Sequence, residues 1–137
     1  MTFEELNIVR TLKKQIAAEN KKLKALKIIM GAFPHKYGKS NESGVTSGGS
    51  TKSAFESFVA QIVDCENKIA ELERKVVETS SQLSVNIQKT FHDSTEQTFL
   101  LYRFVACKYF REIGFLIGLS ERRVYQLYEN ILQKYFS

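Results

Sequence analysis

EIGFLIGLSERRVYQLYENIL, residues 112–132, is the stretch on which the fold turns. An apolar run stops at Gly118, and a second run restarts behind Ser120 with a different outward face. Glycine takes left-handed backbone without a Cβ penalty, so Gly118 predicts a tight turn between two helices. Ser120 is a good N-cap for the second helix. Gly114, four residues before the turn, supplies the small residue that two closely approaching helices require. Ile113 and Ile117 point inward from the first helix, and Leu119 plugs the turn. Val124, Leu127, Tyr128, Ile131, Leu132 and Tyr135 recur at i, i+3, i+4, i+7, i+8 and i+11, which is one buried face.

The residues left outside that stripe carry the chemistry. Glu121, Arg122, Arg123, Tyr125 and Gln126 face outward at the start of the second helix, with Glu129 and Asn130 a turn later. In a DNA-reading helix-turn-helix, base edges are met at the start of the second helix. Arginine grips guanine with two parallel hydrogen bonds, and glutamine does the same for adenine. Lys108 and Arg111, with Arg103 nearby in sequence, are candidates for phosphate contacts, which position a protein without specifying a sequence. The candidate DNA-binding set is therefore Lys108, Arg111, Ser120, Glu121, Arg122, Arg123, Tyr125 and Gln126. The competing reading is a plain αα-hairpin, since any such turn can end on Gly and restart on Ser. The arginines are then solvated surface charges.

Working upstream, Asp93 or Ser94 caps a helix, with Glu96 or Gln97 in capping-box position. Phe99, Leu100, Leu101, Phe104, Val105 and Cys107 make it nearly apolar throughout, the centre of a small core. Before it lie two heptad runs. Val9, Leu12, Ile16, Leu23, Leu26 and Met30 form the first, with Glu19 interrupting one seam position and Thr2 as the cap. Phe55, Phe58, Ile62, Cys65, Ile69, Leu72, Val76 and Leu83 form the second, with Thr79 at the vacant position. The first run is lysine-rich and the second carries acids, so the two predict an antiparallel pair with complementary flanks. Ile62, Ile69, Leu72 and Val76 are the candidate oligomerisation residues, whether the seam closes within one chain or between two. Gly31 and Pro34 predict the end of the first helix, and the Gly/Ser-rich segment over about 31–52 a flexible loop. The expected fold is all-α. A long antiparallel coiled-coil hairpin occupies 1–90, and a helix-turn-helix domain occupies 91–137.

The totals fit a DNA-binding protein of one-domain size. The 137 residues carry a net charge of +5, and the pI is about 9.2. Residues 1–40 hold nine lysines and arginines against three acids, so the basic excess lies in the first helix. A basic balance permits a polyanionic partner. Cys65 and Cys107 lie in apolar helical patterns, far apart and outside any metal-ligand spacing, and predict core thiols in a reducing cytoplasm. The start, MTFEELNIVRTLKK, lacks the continuous apolar run of a signal peptide, and no run of about 18 apolar residues exists to span a membrane. His35 and His92 have no Cys, Asp or Glu partner at catalytic or metal spacing, so neither an enzyme nor a cofactor is expected.

REIGFLIGLSERRVYQLYENILQKYF resembles region 4 of bacterial sigma factors of the sigma-70 class, over roughly 95–136. With the upstream coiled coil, the chain resembles small phage-encoded transcriptional regulators of the RinA and ArpU type. The resemblance implies a cytoplasmic, DNA-binding regulator of phage or mobile-element origin, with Arg122, Arg123, Tyr125 and Gln126 on the DNA side. It also implies double-stranded DNA as partner, and a coiled coil that dimerises or contacts RNA polymerase. Sigma factors usually place Arg then Glu before the second arginine, whereas this chain has Glu121 then Arg122. The alternative from another class is a helical adaptor or inhibitor that binds polymerase or other host machinery.

Overall fold

The computed structural model describes residues 1–32 and 45–137, with the backbone alone for 45–52. The described residues are helical, without a strand among them. In order they are α1 (Phe3–Leu6), α2 (Ile8–Ala32), α3 (Val45–Thr90), α4 (Ser94–Leu100), a π-helical turn (Leu101–Val105), α5 (Phe110–Ile117) and α6 (Glu121–Phe136). They form two compact units, one of residues 1–14 with 74–137, the other of residues 15–73.

In the first unit, Thr2 caps α1 in a reciprocal box. Its hydroxyl accepts from the Glu5 amide, and the Glu5 carboxylate accepts from the Thr2 amide, both at 3.1 Å. Leu6 and Val9 then enter the core with no exposed surface. They join Leu83, Ile87 and Phe91 from the far end of the second heptad run, as antiparallel pairing requires. Phe99, Leu100, Phe104, Phe110, Ile113, Val124 and Ile131 complete the cluster. The compact unit that holds 91–137 thus also takes in 1–14 and 74–90. A segment as short as 91–137 buries too little surface to stand alone, and the heptad ends supply what is missing.

Two local expectations change. The apolar helix through LLYRFVACKYF does not run on. It widens into the π-helical turn, where the Ala106 amide donates to the Leu101 carbonyl five residues back at 3.0 Å. It ends at Cys107, whose φ of 58° is left-handed. Cys107 is therefore a half-buried turn residue rather than a helical core thiol. The Glu96 side chain, expected to reach back to the cap, turns inward instead. Asp93 caps α4 through the Glu96 amide at 2.9 Å, while the Glu96 carboxylate accepts from the Tyr135 hydroxyl at 2.7 Å. A buried carboxylate needs a donor of this kind, and α6 supplies one.

The second unit is the remainder of the helix pair. Its seam follows the heptad register, with Leu12 and Thr79 continuing the same register in the first unit. Ile16, Leu23, Leu26 and Met30 are half-buried, and Ile62, Cys65, Ile69 and Leu72 are buried. Ile62, Ile69 and Leu72 are buried within the single chain, and Val76 packs against the first unit's core. The expected loop over about 31–52 is shorter than predicted. Gly31 lies inside α2, and residues 45–52 are the first turns of α3. Extending an existing helix costs far less than nucleating one, so a long helix can carry a Gly/Ser-rich end. The rest of that loop, 33–44, lies outside the described residues, as does His35.

The interruption at Glu19 has a partner. The Cys65 thiol donates to the Glu19 carbonyl at 3.3 Å and to its carboxylate at 3.4 Å. Lys68 and Lys22 reach the same carboxylate at 3.3 and 3.6 Å. The thiol hydrogen bond, aided by the two lysines, holds the Glu19 carboxyl below its ordinary value despite desolvation. Desolvation and the same carboxylate push the Cys65 thiol up.

Because Glu19 titrates lower in the folded chain, its ionised form stabilises the pair above the ordinary Glu pKa of about 4.3, and that contribution is lost as pH falls below it. Melts followed by circular dichroism between pH 7 and 3 should show a smaller acid-side drop in Tm for Glu19→Gln than for wild type. At the α5–α6 turn, a Cβ on Gly114 would lie 2.5 Å from the Leu119 carbonyl oxygen and 3.3 Å from Val124 Cγ2. Gly114→Ala should cost about 2–3 kcal/mol by denaturant unfolding, since a backbone atom cannot move aside cheaply.

Candidate nucleic-acid interface

The α5–α6 pair meets the requirements that the sequence set. Gly118 adopts φ 78° and ψ 30°, and its amide donates to the Gly114 carbonyl. The Leu119 amide reaches the same carbonyl at 2.8 Å, which closes the turn. Ser120 caps α6 by accepting from the Arg123 amide at 3.2 Å. Ile113, Val124 and Ile131 are fully buried, and Ile117, Leu119, Leu127, Tyr128, Leu132 and Tyr135 are half-buried around them.

With that stripe turned inward, the opposite face of α6 is open. Ser120, Glu121, Arg122, Arg123, Tyr125 and Gln126 are all exposed. Arg122 and Gln126 stand one turn apart, so both side chains leave the helix on the same side. Tyr125 is 48% exposed, and its ring meets Phe110 edge-on at 4.3 Å between centroids. That contact fixes the ring while leaving the hydroxyl end accessible. The site brings together an arginine pair, an amide and a tyrosine on two helical turns.

The flanking cations divide. Arg111 is exposed on α5. Lys108 is half-buried and stands 4.0 Å from Glu112, a loose pair that leaves its charge available. Arg103 is not a free phosphate ligand. Its guanidinium lies 4.2 Å above the Phe110 ring, and Nη1 donates to the Lys108 carbonyl at 3.0 Å. Its Nε is buried without a partner. Burial first, and the neighbouring Arg10 charge second, hold its pKa below the ordinary value. Arg103 over the Phe110 ring, and Phe110 edge-on to Tyr125, tie the turn before α5 to the outward face of α6.

Sequence reasoning missed a second exposed group on α5. Phe115 is 90% exposed, Leu116 50%, and Tyr109, just before α5, 75%. The signal was present. With Ile113 and Ile117 inward, residue 115, two positions from each, falls on the opposite side at 3.6 residues per turn, while residue 116 lies at the edge of the stripe. An apolar count over EIGFLIG hides this, because it registers hydrophobicity without direction. His92 is exposed. Among the described residues, no group of three or more His, Cys, Asp or Glu side chains could hold a metal ion. Nor is any of the described helices long and apolar enough to cross a membrane.

The chain matches no protein-family model, no characterised protein and no solved structure.

The two nearby arginines should separate in a stability measurement. Arg103→Ala removes a cation–π contact and a charge-assisted hydrogen bond, and should cost about 1–2 kcal/mol by chemical denaturation. Arg111→Ala, at an exposed position, should stay within about 0.5 kcal/mol of wild type.

Proposed function

We propose that this chain is a sequence-specific DNA-binding transcription regulator of phage or mobile-element type, acting in the bacterial cytoplasm. In this reading α5 and α6 are a helix-turn-helix, and α6 enters the major groove of double-stranded DNA by its first turns. The observation that carries the proposal is the exposure of Arg122, Arg123, Tyr125 and Gln126 on two turns of a helix whose other face is locked into a core. Arg122 and Gln126 read base edges, and Tyr125 supplies a fixed aromatic edge beside them. Arg111 and Lys108 hold phosphates. Glu121 either accepts from a cytosine amino group or keeps its neighbouring arginines extended. The resemblance to sigma region 4 supports the same assignment. No enzymatic step and no cofactor enter it.

A second reading is favoured by a separate observation. Phe115 and Leu116 expose apolar surface on α5, and large exposed apolar side chains mark protein contacts when they lie together. A helical adaptor that binds RNA polymerase or other host machinery would use them. The two readings are compatible in one molecule that reads DNA with α6 and touches polymerase with α5. They separate if α6 proves idle.

Selection of bound fragments from random duplex DNA supplies a specific site. Gel-shift titration then compares that site with a scrambled one. Arg122→Ala and Gln126→Ala should each lose about 1–3 kcal/mol of discrimination, roughly ten- to a hundredfold. Arg111→Ala and Lys108→Ala should weaken both duplexes alike and lower the salt slope by about one unit. If Arg122→Ala and Gln126→Ala leave specific binding intact in a folded protein, direct readout is wrong and the adaptor reading replaces it.

A further inference from the structure

The two sides of the 15–73 unit differ, and its ion pairs mark which is which. On one side, Lys22 and Lys68 both reach the Glu19 carboxylate. On the other, Lys27 and Glu66 meet across the pair at 3.7 Å. In an antiparallel pair, the positions one step after each seam residue fall on the same side of both helices. On α3 these are Glu56, Val59, Val63, Glu66, Ala70 and Glu73, following Phe55, Phe58, Ile62, Cys65, Ile69 and Leu72. On α2 they are Ala17, Asn20, Lys24 and Lys27, following Ile16, Glu19, Leu23 and Leu26, so this is the side marked by Lys27 and Glu66.

That side carries exposed apolar side chains among its charges. Val59 is 40% exposed, Val63 46% and Ile28 63%. A shallow groove of about 400 Å³ runs along its α2 edge, lined by Asn20, Leu23, Lys24, Lys27 and Ile28. Charge is segregated across it. The α2 stretch 15–32 carries four lysines and one glutamate, and the α3 stretch 53–73 carries five acids and one lysine. Lys21 and Lys24 supply the positive charge on the α2 part of this side, and Glu56 and Glu66, interleaved with Val59 and Val63, the negative charge on the α3 part.

We propose that this side is the interface for a second copy of the chain. A two-fold axis parallel to the helices lays the basic α2 of one copy over the acidic α3 of the other, twice, with Val59 and Val63 between them and Ile28 at the α2 edge. The same residues serve both copies, as an isologous interface demands. The alternative axis sets α3 on α3 and α2 on α2, which opposes like charges. The seam residues Ile62, Ile69 and Leu72 do not hold this dimer together, because each chain already buries its own. At 1.5 Å per residue the 15–32 helix is roughly 27 Å long, and a face two helices wide buries roughly 500–600 Å² per copy. That lies near the lower limit for a specific interface, so the dimer is weak and concentration-dependent. Pairing would supply a DNA-reading protein with two α6 helices and thus two half-sites.

Sedimentation of the full chain without DNA tests this independently of the reading of α6. The apparent mass should rise with concentration from 15.7 kDa toward twice that value. Val59→Glu with Val63→Glu, both at exposed positions, should leave helicity unchanged and weaken dimerisation by about a hundredfold or more. Lys21→Glu with Lys24→Glu should weaken it roughly tenfold, and added salt should weaken the wild type in the same direction. A chain that stays monomeric to roughly 1 mM overturns the proposal, as does a dimer that survives the two Val→Glu changes in a folded protein. A dimer that tolerates the lysine changes and ignores salt overturns the α2-over-α3 arrangement. Loss of DNA readout in the gel-shift leaves all of these outcomes unaffected.

Discussion

The core of the 1–14 and 74–137 unit is assembled from four separated stretches of chain, and the rest of that unit depends on it. Leu6 and Val9 come from the start, and Leu83, Ile87 and Phe91 from the end of the long second helix. Phe99, Leu100 and Phe104 come from α4 and its continuation, and Ile113, Val124 and Ile131 from the last two helices. All of them are 3% exposed or less. Burying each large side chain is worth about 1.5–3 kcal/mol, and no one stretch holds enough of them to fold by itself. The α5–α6 pair is therefore clamped by residues more than a hundred positions upstream. Its exposed face is defined by subtraction: what the core does not take is left for a partner.

Rigidity at that face comes from two close approaches. The first is backbone on backbone at Gly114, where the absence of a Cβ lets the Leu119 carbonyl come in. The second is the run of contacts from Arg103 over Phe110 to the edge-on Tyr125, in which a cation, a buried ring and a half-exposed ring lie in sequence. Arg103 gives up its freedom to bind an outside anion to make this contact. Its buried, unpartnered Nε is the cost of that placement. Preorganised side chains lose less entropy on binding, which is an advantage for a helix that must present several groups at once.

The 15–73 unit follows another logic. Its seam tolerates one carboxylate, Glu19, because a thiol and two lysines converge on it. A polar residue at a seam position disfavours other registers, where it would face an apolar partner alone. Beside the seam, the ion pairs lie on opposite sides and leave exposed valines on one of them. Two heptad runs of opposite charge read most simply as partners for each other. In the structure they meet through Glu19 with Cys65 and Lys27 with Glu66, and Ile62, Ile69 and Leu72 are buried within one chain.

Much of this was legible from residue order alone. Heptad spacing identified both seams residue by residue, because a 3-4 repeat has one geometric solution on a helix. Gly114, Gly118 and Ser120 announced the turn, because each answers a local backbone demand that few other residues meet. What stayed hidden was non-local. Glu96 looks like a capping residue until Tyr135, thirty-nine positions later, arrives to bind it. Arg103 looks like a surface cation until Phe110 folds beneath it, and Cys107 looks helical until packing forces the chain to reverse there. The loop's length was misjudged because composition reports helix propensity, whereas extension of an existing helix depends on the turns already formed. The amino-acid sequence by itself determined the helices, their buried stripes and the outward position of Arg122, Arg123, Tyr125 and Gln126, since periodicity and caps are local. Tertiary structure alone decided which charges are free and which are pinned, and that both ends of the hairpin complete the C-terminal core. Those outcomes depend on contacts between residues that no spacing rule connects.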